Sequence, residues 1–196
     1  LLVAHPTVCT SSYSGAAPST PYCTNAAGQG PAWANSLFED NAEFGLGMHL
    51  GVEKLRDRIQ HIMEAAIAGC TRCPDELKGV MREWIAARGS SSASAEVTTR
   101  LVPMMEACGC DYCRRILEMK DWLVKKSQWI IGGDGWGYDI GFGGVDHVLA
   151  SGMDVNILVV DTEVYSNTGG QSSSSPPVGA VAKIASAGKR ISKKEL

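Results

Sequence analysis

Trp129-Ile130-Ile131-Gly132-Gly133-Asp134-Gly135-Trp136 and Asn156-Ile157-Leu158-Val159-Val160-Asp161-Thr162-Glu163-Val164-Tyr165-Ser166-Asn167-Thr168-Gly169-Gly170-Gln171 decide how this chain folds. Each opens as a short apolar run of the kind that forms a buried strand, then empties into a glycine-rich turn carrying oxygen ligands. Between them, Gly141 to Ser151 has the length of one helix. Strand, helix and strand in that order predict a βαβ unit with parallel strands. The carboxyl ends of such strands face one crevice, so Asp134 and the Thr162 to Asn167 loop are expected to converge although far apart in sequence.

Converging oxygens suit a divalent cation. Magnesium takes six oxygens at about 2.0–2.1 Å and is commonly held by one or two carboxylates plus substrate phosphates. Asp134 can supply the charge, the Thr162 hydroxyl and a loop carbonyl can supply neutral oxygens, and a diphosphate and water can complete the shell. Gly133 and Gly135 would let the backbone approach phosphate oxygens with no Cβ in the way. Ordinary turns also use Gly-Asp-Gly, so the pair of strand-end loops carries more weight than the triplet.

The whole chain is 196 residues, 44% hydrophobic, with a formal charge of −3 and a pI near 5.8. That length suits one globular domain burying ~70% of its unfolded surface. The charge leaves no basic footprint, which argues against nucleic acid as a partner. No apolar run approaches the ~20 residues of a membrane span, and no basic region precedes an apolar stretch at the start. A cytoplasmic location is the resulting expectation. The chain opens on Leu1-Leu2-Val3-Ala4 without an initiator methionine and stops at Lys193-Lys194-Glu195-Leu196, so it reads as an internal fragment, one partial domain over residues 1–196.

Leu1 to Val8 read as a buried strand, and the Ser/Gly/Pro/Asn-rich stretch to Pro31 as a functional loop. Ser36-Leu37-Phe38-Glu39 has the form of a capping box, and Leu37, Met48, Leu50, Leu55, Ile59, Ile62 and Met63 fit a long helix after it, despite Gly45 and Gly47. Further helices are expected around Asp75 to Ala87 and Ala95 to Lys120, with Gly89-Ser90-Ser91-Ser92 between them. The Ser172-Ser173-Ser174-Ser175-Pro176-Pro177 turn is read as starting a helix from about Val178 to Ala187. The fold class is therefore α/β, a parallel sheet flanked by helices, with a helical excursion over about residues 53–125.

Gly133-Asp134-Gly135 followed by Asp161 to Gln171 resembles the thiamine-diphosphate signature of the pyruvate:ferredoxin (flavodoxin) oxidoreductase family. The similarity extends through Ala17-Pro18-Ser19-Thr20-Pro21-Tyr22 and Gly30-Pro31-Ala32-Trp33-Ala34-Asn35-Ser36-Leu37-Phe38-Glu39-Asp40-Asn41-Ala42-Glu43-Phe44-Gly45, and so covers roughly residues 1–50 and 120–196. The resemblance implies a thiamine-diphosphate-binding fold and oxidative decarboxylation of pyruvate to acetyl-CoA and CO2. Electrons would pass through iron–sulfur clusters to ferredoxin or flavodoxin, and a homodimer is implied. It assigns Asp134, the Thr162 side chain and the Val164 carbonyl to magnesium, and Gly133, Asp134, Gly135, Trp136, Thr162, Glu163, Val164, Tyr165, Ser166 and Asn167 to the cofactor's surroundings. The glutamate that activates the aminopyrimidine belongs to another domain of the family, so this segment alone is not expected to turn over substrate. Another 2-oxoacid oxidoreductase, or a non-oxidative thiamine-diphosphate decarboxylase or synthase, would share the Asp and Asn logic.

Asn167 can donate to a substrate carbonyl whose oxygen gains negative charge, or can serve as a left-handed turn residue before Thr168-Gly169-Gly170; the resemblance favours the first role. Trp136 can flank a diphosphate or cover the crevice. Seven cysteines in such a chain argue against a disulfide framework. The resemblance makes Cys9 one ligand of a [4Fe-4S] cluster lying against the thiamine, the other three falling outside this sequence. Cys70-x-x-Cys73 and Cys108-x-Cys110-x-x-Cys113 can be read as a zinc site, but both lie in helical pattern, where thiols spaced i and i+3 also occur as plain packing. Cys23 reads as a loop residue, and the Lys189 to Lys194 run as a solvated face near a helix end. His5, His49, His61 and His147 show no ligand spacing, and Ser174 stands where the family commonly has lysine.

Overall fold

A computed structural model describes residues 1–6, 24–36 and 38–196. In chain order its elements are β1 (Leu2–Pro6), β2 (Ala32–Ser36), α1 (Asn41–Gly69), α2 (Asp75–Ala87), α3 (Ser91–Cys108), α4 (Asp111–Leu117), a 3₁₀ turn (Lys120–Trp122), β3 (Gln128–Gly132), α5 (Asp134–Tyr138), α6 (Phe142–Ser151), β4 (Asn156–Val159), β5 (Val164–Tyr165) and β6 (Gln171–Ser172). They form two compact units, Leu1–His49 with Ser127–Leu196, and Leu50–Lys126.

The first unit is built on a parallel sheet of order β2-β1-β3-β4. β1 is central and buried along its whole length, as an apolar run with no alternation requires. In β3, Gln128, Ile130 and Gly132 are buried and alternate with half-buried neighbours. Ala42, Ile130, Trp136, Val145 and Val148 make the core between sheet and helices. Gly45 is needed there: a Cβ on it would stand 2.6 Å from Ile130 Cγ1, so glycine lets α1 lie close on β3. The predicted βαβ unit is present, with α6 between β3 and β4 and their register running from Trp129 opposite Asn156 to Gly132 opposite Val159.

Several expectations need correction. The Ser36–Glu39 capping box does not form: Ser36 belongs to β2, its hydroxyl donates to the Phe38 carbonyl at 2.9 Å, and the helix starts only at Asn41. Asn41 is fully buried and donates its side-chain amide to the Ile131 carbonyl at 2.8 Å, tying α1 to the end of β3. No helix spans Val178 to Ala187. Turns and isolated bridges occupy that stretch, with Gly179 and Gly188 at φ of 90° and 85° and Ile184 at 70°, values that break a right-handed helix. The following basic run is not merely a solvated face. Lys189 is 8% exposed and its ammonium donates to the Ser174 and Pro176 carbonyls at 2.5 Å each.

The second unit is helical, with Ile59, Met63, Leu77, Trp84, Leu101 and Leu123 among its fully buried side chains. Arg56 is 1% exposed inside it and satisfied by backbone: its guanidinium donates to the carbonyls of Trp122 (2.7 Å), Leu123 (3.2 Å) and Arg88 (2.6 Å). Trp84 shares the Leu123 carbonyl through its indole N–H at 2.9 Å and lies under the Arg56 cation. The expected Ala95 to Lys120 helix is divided at Gly109, whose φ of 56° ends α3 in the left-handed conformation. The cysteines therefore stand at helix boundaries and not in helix interiors, Cys113 excepted: Cys70 and Cys73 follow α1, Cys108 ends α3 and Cys110 caps α4. No helix among the described residues is long and apolar enough to cross a membrane.

Candidate functional site

β3 ends at Gly132 and α5 starts at Asp134, so the Asp134 carboxylate stands at the mouth of the sheet. A Cβ on Gly132 would lie 2.1 Å from the Trp136 ring, and only glycine lets that indole fold back under the strand end. β4 ends at Val159, and Asp161 to Val164 then form a tight loop. In it Glu163 adopts φ 65°, unusual for a side chain of its type, and its N–H donates to Asp161 Oδ1 at 3.1 Å. β5 and β6 close the loop as a short antiparallel hairpin, and the Ser173 hydroxyl donates to the Glu163 carbonyl at 3.3 Å.

These turns bring three oxygens together. The Thr162 hydroxyl lies 2.7 Å from Asp134 Oδ2 and 3.0 Å from the Val164 carbonyl, across 28 residues of sequence in the first case. One hydroxyl proton cannot serve both acceptors at full strength. Asp134 is fully buried, and its other oxygen, Oδ1, has no hydrogen-bond partner among the described residues. A buried carboxylate oxygen without a donor is costly, and a cation is one of the few groups that relieves it. Burial pushes the Asp134 carboxyl above the usual range; the Thr162 hydrogen bond pulls it back, and the neighbouring Asp161 adds to the rise. Carboxylate, hydroxyl and carbonyl are the hard oxygen donors that magnesium prefers, so the residues present fit that ion.

Around this core lie groups that the sequence reading did not assign to the site. Asp161 accepts from the Tyr138 hydroxyl at 3.1 Å, from the Ser175 hydroxyl and from the Lys193 ammonium. Burial alone would raise its pKa, yet Lys193, Ser175 and the Glu163 N–H outweigh it and hold the carboxyl well below the ordinary range. Glu39 is raised by burial and then by Asp134 and Asp40, and its Oε2 is buried with no partner among the described residues. Asp139 accepts from the Tyr165 hydroxyl at 2.5 Å and from the Ser174 N–H at 3.0 Å. Position after an apolar strand was the available signal for Asp161; Glu39 arrives from a different part of the chain and left none.

The remaining expected site residues divide. Gly133 and Gly135 are buried, and the open side of Gly135 faces the Tyr165 ring, 2.8 Å from where a Cβ would stand, and Glu39 Oε1 at 3.3 Å. Trp136 is fully buried in the core. Ser166 and Asn167 are exposed in the hairpin turn, where Gly169 and Gly170, and not Asn167, take positive φ. Cys9, Cys23 and the Ala17–Tyr22 block lie outside the described residues.

Parallel strands delivering oxygen ligands to a common mouth define an α/β protein with its site at the carboxyl ends of the sheet. No family profile matches the sequence. Across its full length the chain is 55% identical over 198 residues to pyruvate-flavodoxin oxidoreductase of Klebsiella pneumoniae, of which it spans 17%. It is 48% identical over 203 residues to pyruvate:ferredoxin oxidoreductase of Moorella thermoacetica, again 17% of that protein. The mitochondrial pyruvate dehydrogenase [NADP(+)] of Euglena gracilis is 45% identical over 198 residues, 11% of its length. The chain belongs to the pyruvate-flavodoxin/ferredoxin oxidoreductase family, matching one segment of these much longer relatives.

Proposed function

We propose that this chain is the diphosphate- and magnesium-binding part of a thiamine-diphosphate-dependent pyruvate:ferredoxin or flavodoxin oxidoreductase. Asp134, the Thr162 hydroxyl and the Val164 carbonyl hold the magnesium ion; Gly133 to Trp136 and Thr162 to Asn167 surround the cofactor. What carries the reading is the Thr162 hydroxyl within 2.7 Å of Asp134 Oδ2 and 3.0 Å of the Val164 carbonyl, beside a buried and unpartnered Oδ1. When bound, the thiamine supplies the carbanion chemistry by which a 2-oxo acid loses CO2, and the protein's share is placement and electrostatics. The left-handed Glu163 turns the Val164 carbonyl toward Thr162, and Lys193 neutralises Asp161 so that Asp134 carries the charge offered to the cation. Asn167 donates its side-chain amide to the substrate carbonyl oxygen as negative charge builds there. Pyruvate and coenzyme A are the substrates, and ferredoxin or flavodoxin takes the electrons through iron–sulfur clusters, one of them ligated in part by Cys9.

Asp134→Ala in the polypeptide that carries this chain is expected to weaken magnesium-dependent thiamine diphosphate binding by about 100-fold or more, measured by calorimetry. Unchanged cofactor affinity in a folded variant would overturn the assignment.

A further inference from the structure

We propose that Cys73, Cys108, Cys110 and Cys113 form a tetrathiolate zinc site that staples the helix junctions of the second unit. Their sulfurs all lie within 4.8 Å of one another. Cys73 Sγ stands 3.5 Å from Cys110 Sγ and 3.9 Å from Cys108 Sγ. Zinc bound tetrahedrally at about 2.3 Å from each sulfur sets sulfur–sulfur edges of about 3.8 Å, which these two separations bracket.

The convergence follows from the local chain geometry. Cys73 precedes Pro74, the cap of α2; Cys108 is the last residue of α3; Cys110 is the cap of α4 and Cys113 lies one turn inside it. The left-handed Gly109 reverses the chain between Cys108 and Cys110, so both thiols turn toward the same point. The Cys113 N–H donates to Cys110 Sγ at 3.5 Å, a contact that orients a metal-binding sulfur. Cys73, Cys110 and Cys113 are buried while Cys108 is partly exposed, which leaves an entry path for the ion.

The donor set also selects the metal. Four thiolates are soft ligands that magnesium and calcium do not choose, and a tetrahedral S₄ arrangement belongs to zinc or iron. A four-iron cluster interposes its own irons and sulfides between its thiolates, and a span of 4.8 Å leaves no room for them. Spacing alone would pair Cys70-x-x-Cys73 with Cys110-x-x-Cys113. The geometry replaces Cys70 with Cys108.

The test uses the 196-residue chain expressed in zinc-supplemented medium, with elemental analysis, an acid-labile sulfide assay and cobalt substitution. About one zinc per chain and no sulfide are expected. Cys108→Ser and Cys113→Ser should each lower zinc retention against a chelator about tenfold or more, while Cys70→Ser keeps it. Cobalt-loaded protein should show intense thiolate-to-cobalt absorption that Cys108→Ser weakens and Cys70→Ser leaves intact. An unfolded chain would bind through any set of its cysteines and could not tell Cys70 from Cys108. Equal losses in those two variants, absence of stoichiometric metal, or iron in place of zinc, with or without sulfide, would each overturn the proposal.

Discussion

In the sheet unit the oxygens of Asp134, Thr162 and Val164 come from the ends of two parallel strands and meet because β3 and β4 pair in register. In the helical unit the thiols of Cys73, Cys108, Cys110 and Cys113 come from the ends of consecutive helices and meet because the chain breaks at Pro74 and Gly109. The first assembly needs a complete scaffold before any donor is in place, and one of its carboxylates, Asp161, is already balanced by Lys193. The second needs only short turns, and its buried thiols pack into the apolar core of the helices. On our reading, the ion follows the fold in the sheet unit and helps to make it in the helical unit.

The strongest way to break that contrast is Asp134→Ala, whose expected loss of cofactor binding should leave the zinc content of the helical unit unchanged. Next comes Arg56→Ala. It removes the donor for three carbonyls inside the helical unit and should cost about 3 kcal/mol or more, read as a lower denaturant midpoint. A loss that disappears when zinc is saturating would mean that the metal, and not the guanidinium, dominates this unit. Gly132→Ala puts a Cβ 2.1 Å from the Trp136 ring and should destabilise the sheet unit by about 1–3 kcal/mol. Because Trp136 follows Asp134 by two residues, magnesium affinity should fall with it, which calorimetry would show. Arg100→Ala is the smallest: its pair with Glu83 at 2.6 Å is half-exposed on both sides, and the expected change in stability stays below about 1 kcal/mol.

How much of this the amino-acid order disclosed depends on the range of the interactions. The βαβ unit was legible because Trp129 to Ile131 and Asn156 to Val160 are apolar runs that stop at glycine or at oxygen-bearing side chains. β2 was not, since Ala32-Trp33-Ala34-Asn35 has no strand-like alternation and becomes a strand only by pairing with β1. The Val178 to Ala187 helix failed because small residues permit helix but do not demand it, and the Lys189 contacts with Ser174 and Pro176 favoured turns. Lys189 also brings an ammonium to the Ser174 backbone. Asp134 and Thr162 could be paired from strand-end logic and Val164 from the family resemblance, whereas Glu39, Asp139 and Lys193 join the site only through tertiary folding. For the cysteines, residue spacing pointed to Cys70, and only the reversal at Gly109 brings Cys108 in.

Glu163 carries a consequence for anyone hoping to make this segment hardier. Its backbone sits where an L-amino acid loses about 1 kcal/mol, so a screen for heat tolerance would welcome glycine at that position. The same exchange would slacken the hinge that points the next carbonyl inward, and the toughened protein would grip the proposed ion less well. Selection for durability and selection for metal binding should therefore part company at this one residue.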